Sequence, residues 1–121
     1  MKQRKIIFKG KRTDTGEWIK GDLVHAPLGC RIERWVDDVL LVDDVVPTTV
    51  CQFTGLYDCN GDPIYEGDII DFSGEGEIIF KYGAFYVKFP KYTERLLSTL
   101  LYTEPPLMVI CSKFDRKEGE A

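Results

Sequence analysis

The dipeptide Asn60-Gly61 constrains the fold of this chain more than any other feature of its sequence. It lies between the apolar pairs Leu56-Tyr57 and Ile64-Tyr65. Asn-Gly is the pair that most readily adopts the two positive φ angles of a type I′ turn. We therefore predict a tight hairpin at this point, with antiparallel strands on either side of it.

Most of the remaining chain consists of short apolar runs interrupted by Gly, Asp, Asn and Pro, a pattern typical of strands and turns. The run from Lys5 to Lys9 predicts a first strand. A second strand is expected from Glu17, divided into two pieces by a bend or bulge at Gly21-Asp22. A hairpin is expected to turn near Asp37-Asp38, and antiparallel strands are expected between Glu77 and Phe89. The sequence therefore predicts a mainly β fold.

One segment near the C-terminus has a helical pattern. Between Thr93 and Tyr102 four leucines recur at positions i, i+1, i+4 and i+5, and Thr93 is a suitable N-cap; they are Leu96, Leu97, Leu100 and Leu101. We predict one short helix over residues 93–102.

A short internal similarity bears on the shape of the sheet. The segments Ile19–Val24 and Tyr65–Ile70 each contain Gly-Asp followed by two large aliphatic residues. Glycine permits unusual backbone angles, and aspartate accepts hydrogen bonds from nearby amides. Two such strand entries predict a curved, barrel-like sheet in which both Gly-Asp corners have the same structural role.

Length and composition predict a single soluble domain. The chain has 121 residues, of which 44% are hydrophobic and 30% charged, as in an ordinary globular protein. We expect one β domain over residues 1–115, followed by a polar, mobile tail over 116–121. The uncharged stretches are too short for a membrane helix, and no hydrophobic signal segment follows the basic start. We therefore expect a cytoplasmic protein without membrane contact.

Net charge disfavours one class of partner and leaves another open. The formal charge of −4 argues against non-specific binding to duplex DNA. Basic residues nevertheless gather near the N-terminus, at Lys2, Arg4, Lys5, Lys9, Lys11 and Arg12. Aromatic residues alternate with lysines over residues 80–91, as on a sheet that binds single-stranded nucleic acid. The candidate contacts for this alternative function are Lys81, Tyr86, Lys88 and Lys91.

The sequence contains no pattern that predicts catalysis. Its single histidine, His25, lies five residues before Cys30, a spacing that permits a Cys/His pair without indicating one. The serines lie outside any nucleophile motif. We predict no catalytic residues and no enzyme activity.

Metal and cofactor sites are not predicted either. The segment Asp58-x-Asn60-x-Asp62 resembles the start of a calcium loop, but Pro63 replaces the required glycine and Ile69 the required glutamate. The cysteines form no C-x-x-C pair, so we expect four free thiols and no zinc site; they are Cys30, Cys51, Cys59 and Cys111. No cofactor is expected.

The segment Gln52–Ile70 resembles the central motif of the YopX family, small proteins encoded by bacteriophages and prophages. The shared pattern is Q-[YF]-T-G-L-x-D-x-N-G-x-x-I-[YF]-E-G-D-[IV]-[IV], and this chain meets every fixed position. The N-terminal part is also similar, with Trp18 preceding Gly-Asp. The resemblance covers most of the chain up to about Phe89 and weakens after it.

The resemblance implies β architecture with a small, partly closed, SH3-like barrel, an origin in mobile elements, and homo-oligomers; it implies no catalytic residues. A hairpin and strand entry explain the shared motif, with its glycines and Asn60 giving backbone geometry and Leu56, Ile64, Ile69 and Ile70 giving core. In the alternative, functional reading the motif forms a candidate interaction surface of Tyr57, Asp58, Tyr65, Glu66 and Asp68. We expect an accessory protein that acts through contacts with a protein partner or with itself. Pairing between edge strands such as Lys5 to Lys9 is the expected route to oligomers.

Overall fold

A computed structural model describes residues 6–90, 93–101 and 106–116. The described chain is mainly β, as predicted, and its strands form two antiparallel sheets with no closed barrel among the described residues. It divides into two compact units, residues 1–53 and 54–121. The expected single domain over 1–115 stays a prediction. No helix in the described ranges is long and apolar enough to cross a bilayer.

The first unit is an antiparallel sheet with the strand order β4-β3-β2-β1-β5. Its strands are joined by short turns, and a 3₁₀ helix at Pro47–Thr49 precedes the last strand. The strands are β1 (Phe8–Lys11), β2 (Trp18–Ala26), β3 (Gly29–Val36), β4 (Val39–Val45) and β5 (Cys51–Tyr57), the last of which continues into the second unit. Ile19, Ile32 and Val45 form the buried core of this sheet.

The first strand is central in the sheet rather than at its edge. β1 pairs with β2 on one side and with β5 on the other. The expected pairing of subunits through an edge strand from Lys5 to Lys9 is therefore wrong, because both sides of Phe8 and Lys9 are already hydrogen-bonded within the chain. Lys5 lies outside the described residues. The edge strand of the unit is β4.

Gly21 marks the point where β2 changes partners. Residues before it pair with β1, and residues after it, beginning with Asp22, pair with β3. A Cβ atom at Gly21 would lie 2.3 Å from the carbonyl oxygen of Glu33. The strand is continuous here, so the expected break into two pieces is wrong, but glycine is required for the close approach of β3.

The two Gly-Asp corners have different roles. Gly67 lies in a turn with φ of 86°, whereas Gly21 lies inside a strand and has no positive φ. Asp68 begins a new strand, while Asp22 continues an existing one. The predicted equivalence of the two corners is therefore wrong.

The first sheet curls so that its edge strand β4 meets the C-terminal end of the inner strand β1. Arg12 forms an isolated antiparallel bridge with Val45. The amide of Thr13 donates to the carbonyl of Asp44 (3.1 Å), and the amide of Val46 donates to the carbonyl of Lys11 (2.8 Å). One end of the edge strand β4 is thus covered by residues 11–13.

The second unit contains a sheet with the order β10-β9-β8-β7-β11, and β6 pairs with β5. A 3₁₀ helix at Leu97–Thr99 follows β10. The strands are β6 (Pro63–Tyr65), β7 (Asp68–Asp71), β8 (Glu75–Lys81), β9 (Ala84–Lys88), β10 (Glu94–Leu96) and β11 (Met108–Ser112). Its core comprises Ile64, Ile70, Ile78, Val87, Leu97, Leu100 and Leu107.

The predicted helix over residues 93–102 is absent from the part that the structure describes. Residues 94–96 instead form β10, which pairs with β9, and residues 97–99 form a 3₁₀ turn. Leu97 and Leu100 are fully buried in the core. A ten-residue helix has little stability of its own, and here pairing with β9 satisfies the backbone while the same leucines are buried. Tyr102 lies outside the described residues.

The two predicted hairpins both form, but the tight turn predicted at Asn60-Gly61 is found at Asp37-Asp38 instead. Asp37 and Asp38 both have positive φ, at 48° and 66°, and they join β3 to β4 by a two-residue turn. At Asn60-Gly61 only Gly61 has positive φ. The hairpin there is real, but its turn is longer than a type I′ turn.

Candidate interaction surfaces

Asp58 holds the turn of the central motif together. Its carboxylate is buried, and Oδ1 accepts hydrogen bonds from the backbone amides of Asn60 and Asp62, both at 2.9 Å. Oδ2 accepts a third from the amide of Val109, also at 2.9 Å. Since Asn60 is held by the carboxylate, it keeps negative φ and the type I′ turn does not form. Asp58 therefore joins this turn to the start of β11.

Those hydrogen bonds also bear on the calcium-loop resemblance. Both carboxylate oxygens of Asp58 accept hydrogen bonds from backbone amides, and a cation bound there would have to replace these amides. Within the described ranges no three His, Cys, Asp or Glu side chains cluster as metal ligands would.

Asp68 has a similar structural role one turn later. Its Oδ2 accepts a hydrogen bond from the amide of Tyr65 at 2.8 Å, and both side chains are buried. Glu66 is half-buried, and Tyr57 is 51% exposed. Of the five residues predicted as an interaction surface, Asp58, Tyr65 and Asp68 thus face the protein interior. Only Tyr57 and Glu66 reach solvent, and the contact role of the set stays a prediction.

Burial of Tyr65 makes stability sensitive to alkaline pH. The pKa of its hydroxyl is raised, mainly by burial and further by the charges of Asp68 and Tyr57. The unfolded chain ionises tyrosine near pH 10, so above that pH the unfolded state releases a proton that the folded state retains. Ionisation of Tyr65 therefore leaves the free energy of unfolding unchanged below about pH 10 and lowers it as the pH rises above that value.

Denaturant unfolding at pH 8 and pH 11 tests this expectation. The loss of stability between the two pH values should be smaller in Tyr65→Phe than in the parent. Tyr82→Phe is the matched control, because its ring is 86% exposed and the substitution should leave the loss near the parent's. Equal losses in all three proteins would contradict the assignment.

The residues of the nucleic-acid alternative lie among carboxylates. Lys81 Nζ forms an ion pair with Glu94 at 2.7 Å, and the pKa of Lys81 is raised by this hydrogen bond. Lys88 is exposed and lies opposite Glu77 on β8 and Glu94 on β10. Tyr86 shares this face of the sheet, whereas Phe85 packs against the core, as the alternation predicted. Lys91 lies outside the described residues.

Acidic residues also hold the C-terminal turn against this sheet. Glu75 pairs with Arg116 at 3.1 Å and Glu77 with Lys113 at 3.2 Å. The hydrogen bond from Arg116 lowers the pKa of Glu75. Fixed carboxylates on the same face oppose the approach of a phosphate backbone. Nucleic-acid binding by this region stays a prediction that no feature of the sheet favours.

The described part of the N-terminal basic cluster is engaged locally. The ammonium groups of Lys9 and Lys11 lie 4.5 Å and 5.2 Å from the ring centroid of Trp18, within cation–π range. Arg12 hydrogen-bonds both oxygens of Asp14. Lys2, Arg4 and Lys5 lie outside the described residues.

His25 and Cys30 are direct partners across the β2–β3 hairpin. The Cys30 sulfur lies 3.9 Å from Nδ1 of His25. Cys30 also lines a cavity of about 470 Å³ beside the Pro27-Leu28 turn, whereas His25 does not. The spacing of five residues thus does bring the pair together, but at an exposed hairpin end, and no third group among the described residues is hydrogen-bonded to the imidazole to orient it.

A group of exposed apolar side chains lies on the β3–β4 hairpin, which the sequence analysis did not single out. We call its large exposed side chains the hairpin patch: Trp35, Val36, Val39, Leu40 and Val42. Trp35 is 69% exposed and Val39 56%. The available signal was the uninterrupted apolar run Val39–Val42, because an edge strand in contact with solvent usually carries polar residues at alternate positions.

These observations define a mainly β protein with two antiparallel sheets, a structurally engaged central motif and an exposed apolar hairpin. A model of the family described as YopX protein matches residues 7–116, nearly the whole chain. The chain therefore belongs to the YopX family. The match extends past Phe89, where the resemblance was expected to weaken, and includes β11.

A solved structure with a similar fold is protein EF1440 from Enterococcus faecalis. It is 19% identical in sequence, with a TM-score of 0.59, and the alignment covers 91% of this chain and 94% of that one. At this identity the likeness concerns the fold alone. The comparison with curated proteins gave no match.

Proposed function

We propose that this chain is an accessory protein of phage or prophage origin that acts in the bacterial cytoplasm by protein contact or self-assembly rather than by catalysis. The proposal includes an SH3-like character for the first unit, supported by the bridge between Arg12 and Val45, through which the curved sheet joins its edge strand β4 to the end of β1. The origin and setting rest on the family resemblance.

The observation that carries the proposal is the hairpin patch. Large contiguous apolar surfaces on a protein usually mark contact sites, while isolated exposed hydrophobic residues do not. Trp35 also belongs to the residue types that contribute most to protein interfaces. Within the patch, Trp35, Leu40 and Val42 share one face of the hairpin, whereas Val36 and Val39 lie on the other face. Val39, Leu40 and Val42 belong to the edge strand β4, where backbone groups are available to a partner in addition to side chains.

An affinity pull-down from the lysate of a bacterial host, with and without nuclease, tests the proposal. We expect bound protein, including further copies of the chain, to survive nuclease and to be reduced at least tenfold by Trp35→Ser. The matched control is Leu28→Ser, because Leu28 is 101% exposed on a different turn of the same unit and lies outside the patch.

Two outcomes would count against the proposal. If every bound partner disappeared with nuclease, nucleic-acid binding would take its place. If Trp35→Ser and Leu28→Ser retained the same partners in the same amounts, the contact surface would lie elsewhere than in the hairpin patch.

A further inference from the structure

We propose that the hairpin patch binds a second copy of this chain, with the two β4 strands pairing antiparallel about a two-fold axis at Leu41. The inference rests on the proposed function, since it names the partner of the same surface. It is carried by the backbone of β4 and by the order of its side chains.

The backbone of β4 presents unused hydrogen-bonding groups at two positions. The two-residue turn makes Val36 and Val39 a hydrogen-bonded pair, and such pairs then alternate along the hairpin. Leu40 and Val42 fall between them, so their amides and carbonyls point away from β3. Asp44, two residues after Val42, has the same orientation. Its carbonyl points away from β3 and accepts a hydrogen bond from the amide of Thr13.

The open part of the edge is symmetric about Leu41. Residues 11–13 cover the strand from Asp44 onward, and the turn ends it before Val39, which leaves the five residues Val39–Asp43. Antiparallel pairing centred on Leu41 places Leu40 opposite Val42 of the other copy and Leu41 opposite itself. The backbone amides and carbonyls of Leu40 and Val42 that point away from β3 are then all hydrogen-bonded to the other copy.

This register joins the apolar side chains of the two copies. Leu40, Val42 and Trp35 lie on one face of the hairpin, since Trp35 is the cross-strand neighbour of Leu40. Because directly opposite residues share a face, Trp35 and Leu40 of one copy continue into Val42 of the other. A shift by one residue would place apolar side chains on the wrong face.

Charges at the two ends of the open edge do not add attraction between the copies. The turn carries the carboxylates of Asp37 and Asp38. At the opposite end, Arg12 pairs with Asp14 and with Asp43 at 3.6 Å, and Arg31 pairs with Asp44 at 3.1 Å. The pairing therefore depends on the backbone of β4 and on the apolar side chains beside it.

Cysteine cross-linking tests both the partner and the register. In a background in which exposed Cys59 is serine, Leu41→Cys should form a disulfide-linked dimer under mild oxidation. Its Cα atoms would be about 4.5 Å apart, as in a non-hydrogen-bonded pair. Leu40→Cys alone and Val42→Cys alone should each give no cross-linked dimer, because each cysteine lies two positions away from the equivalent cysteine of the other copy. A mixture of the two should cross-link.

Light scattering of the unmodified protein gives an independent measurement. We expect a dimer at micromolar concentration that Leu40→Lys weakens by about 100-fold, roughly tenfold for each of the two leucines lost. Leu28→Lys, the same substitution at an exposed leucine outside the patch, should leave the dimer unchanged.

A monomer throughout the micromolar range would overturn the inference, as would cross-linking of Leu40→Cys alone as efficient as that of Leu41→Cys. The proposed function would survive either result if a nuclease-resistant partner from the lysate still depended on Trp35. Both would fail if hairpin substitutions altered neither the dimer nor the lysate partners.

Discussion

Replacing Asp58 with alanine should lower the free energy of unfolding by about 3 to 5 kcal/mol, because three backbone amides lose a charged acceptor together. The amide of Val109 is part of a strand start that the carboxylate joins to the turn 51 residues earlier. The substitution should therefore loosen β11 as well as the turn itself.

Denaturant unfolding followed by circular dichroism measures this effect. The matched control is Asp62→Ala in the same turn, whose exposed side chain should change stability by less than about 0.5 kcal/mol. Asp58→Asn should fall between the two, because its remaining oxygen still accepts the amides of Asn60 and Asp62. Equal stabilities for the alanine variants at 58 and 62 would contradict the central role given to Asp58.

Gly21→Ala should destabilise the first unit by about 3 kcal/mol or more, since the added Cβ would lie 2.3 Å from the backbone oxygen of Glu33. Backbone cannot rotate away as a side chain does, so β2 and β3 must separate where β2 changes partners.

The emission of Trp18 and Trp35 reports on this unit, because both tryptophans lie in it. Gly16→Ala is the matched control: its Cβ meets nothing within 4 Å, and its φ of +74° limits the expected loss to about 1 to 2 kcal/mol. If the two variants unfolded at the same denaturant concentration, the close approach at Gly21 would not limit the packing of the strands.

Local patterns in the sequence predicted the β content and several turns, because glycine, aspartate and alternating apolar residues act over a few positions. They failed where distant pairing decides the outcome. Leu96, Leu97 and Leu100 fit a helix in isolation, but β9 supplies backbone partners that no local pattern contains. Gly21 and Gly67 look alike in sequence, yet glycine is required for different reasons. At Gly21 the reason is the close approach of the Glu33 backbone, and at Gly67 it is the positive φ of a turn.

The candidate interaction surfaces also depend on contacts between distant parts of the chain, which local patterns do not contain. Polar residues of the family motif suggested contacts at Asp58 and Asp68, whereas the folded chain uses both carboxylates for its own amides. The hairpin patch was missed because the exposure of Val39 and Leu40 depends on β4 being the last strand of its sheet. Strand order is a property of the whole unit and cannot be read from one segment.

The Asp37-Asp38 turn has a further consequence. Both residues adopt positive φ, which costs a non-glycine residue on the order of 1 kcal/mol. Asn-Gly would fit this turn better, and the chain has that pair at Asn60-Gly61, where only the glycine has positive φ. Acidic residues thus occupy the turn against local backbone preference. Beside an apolar edge strand, such charges act as gatekeepers, because they oppose unspecific pairing of that edge with other strands.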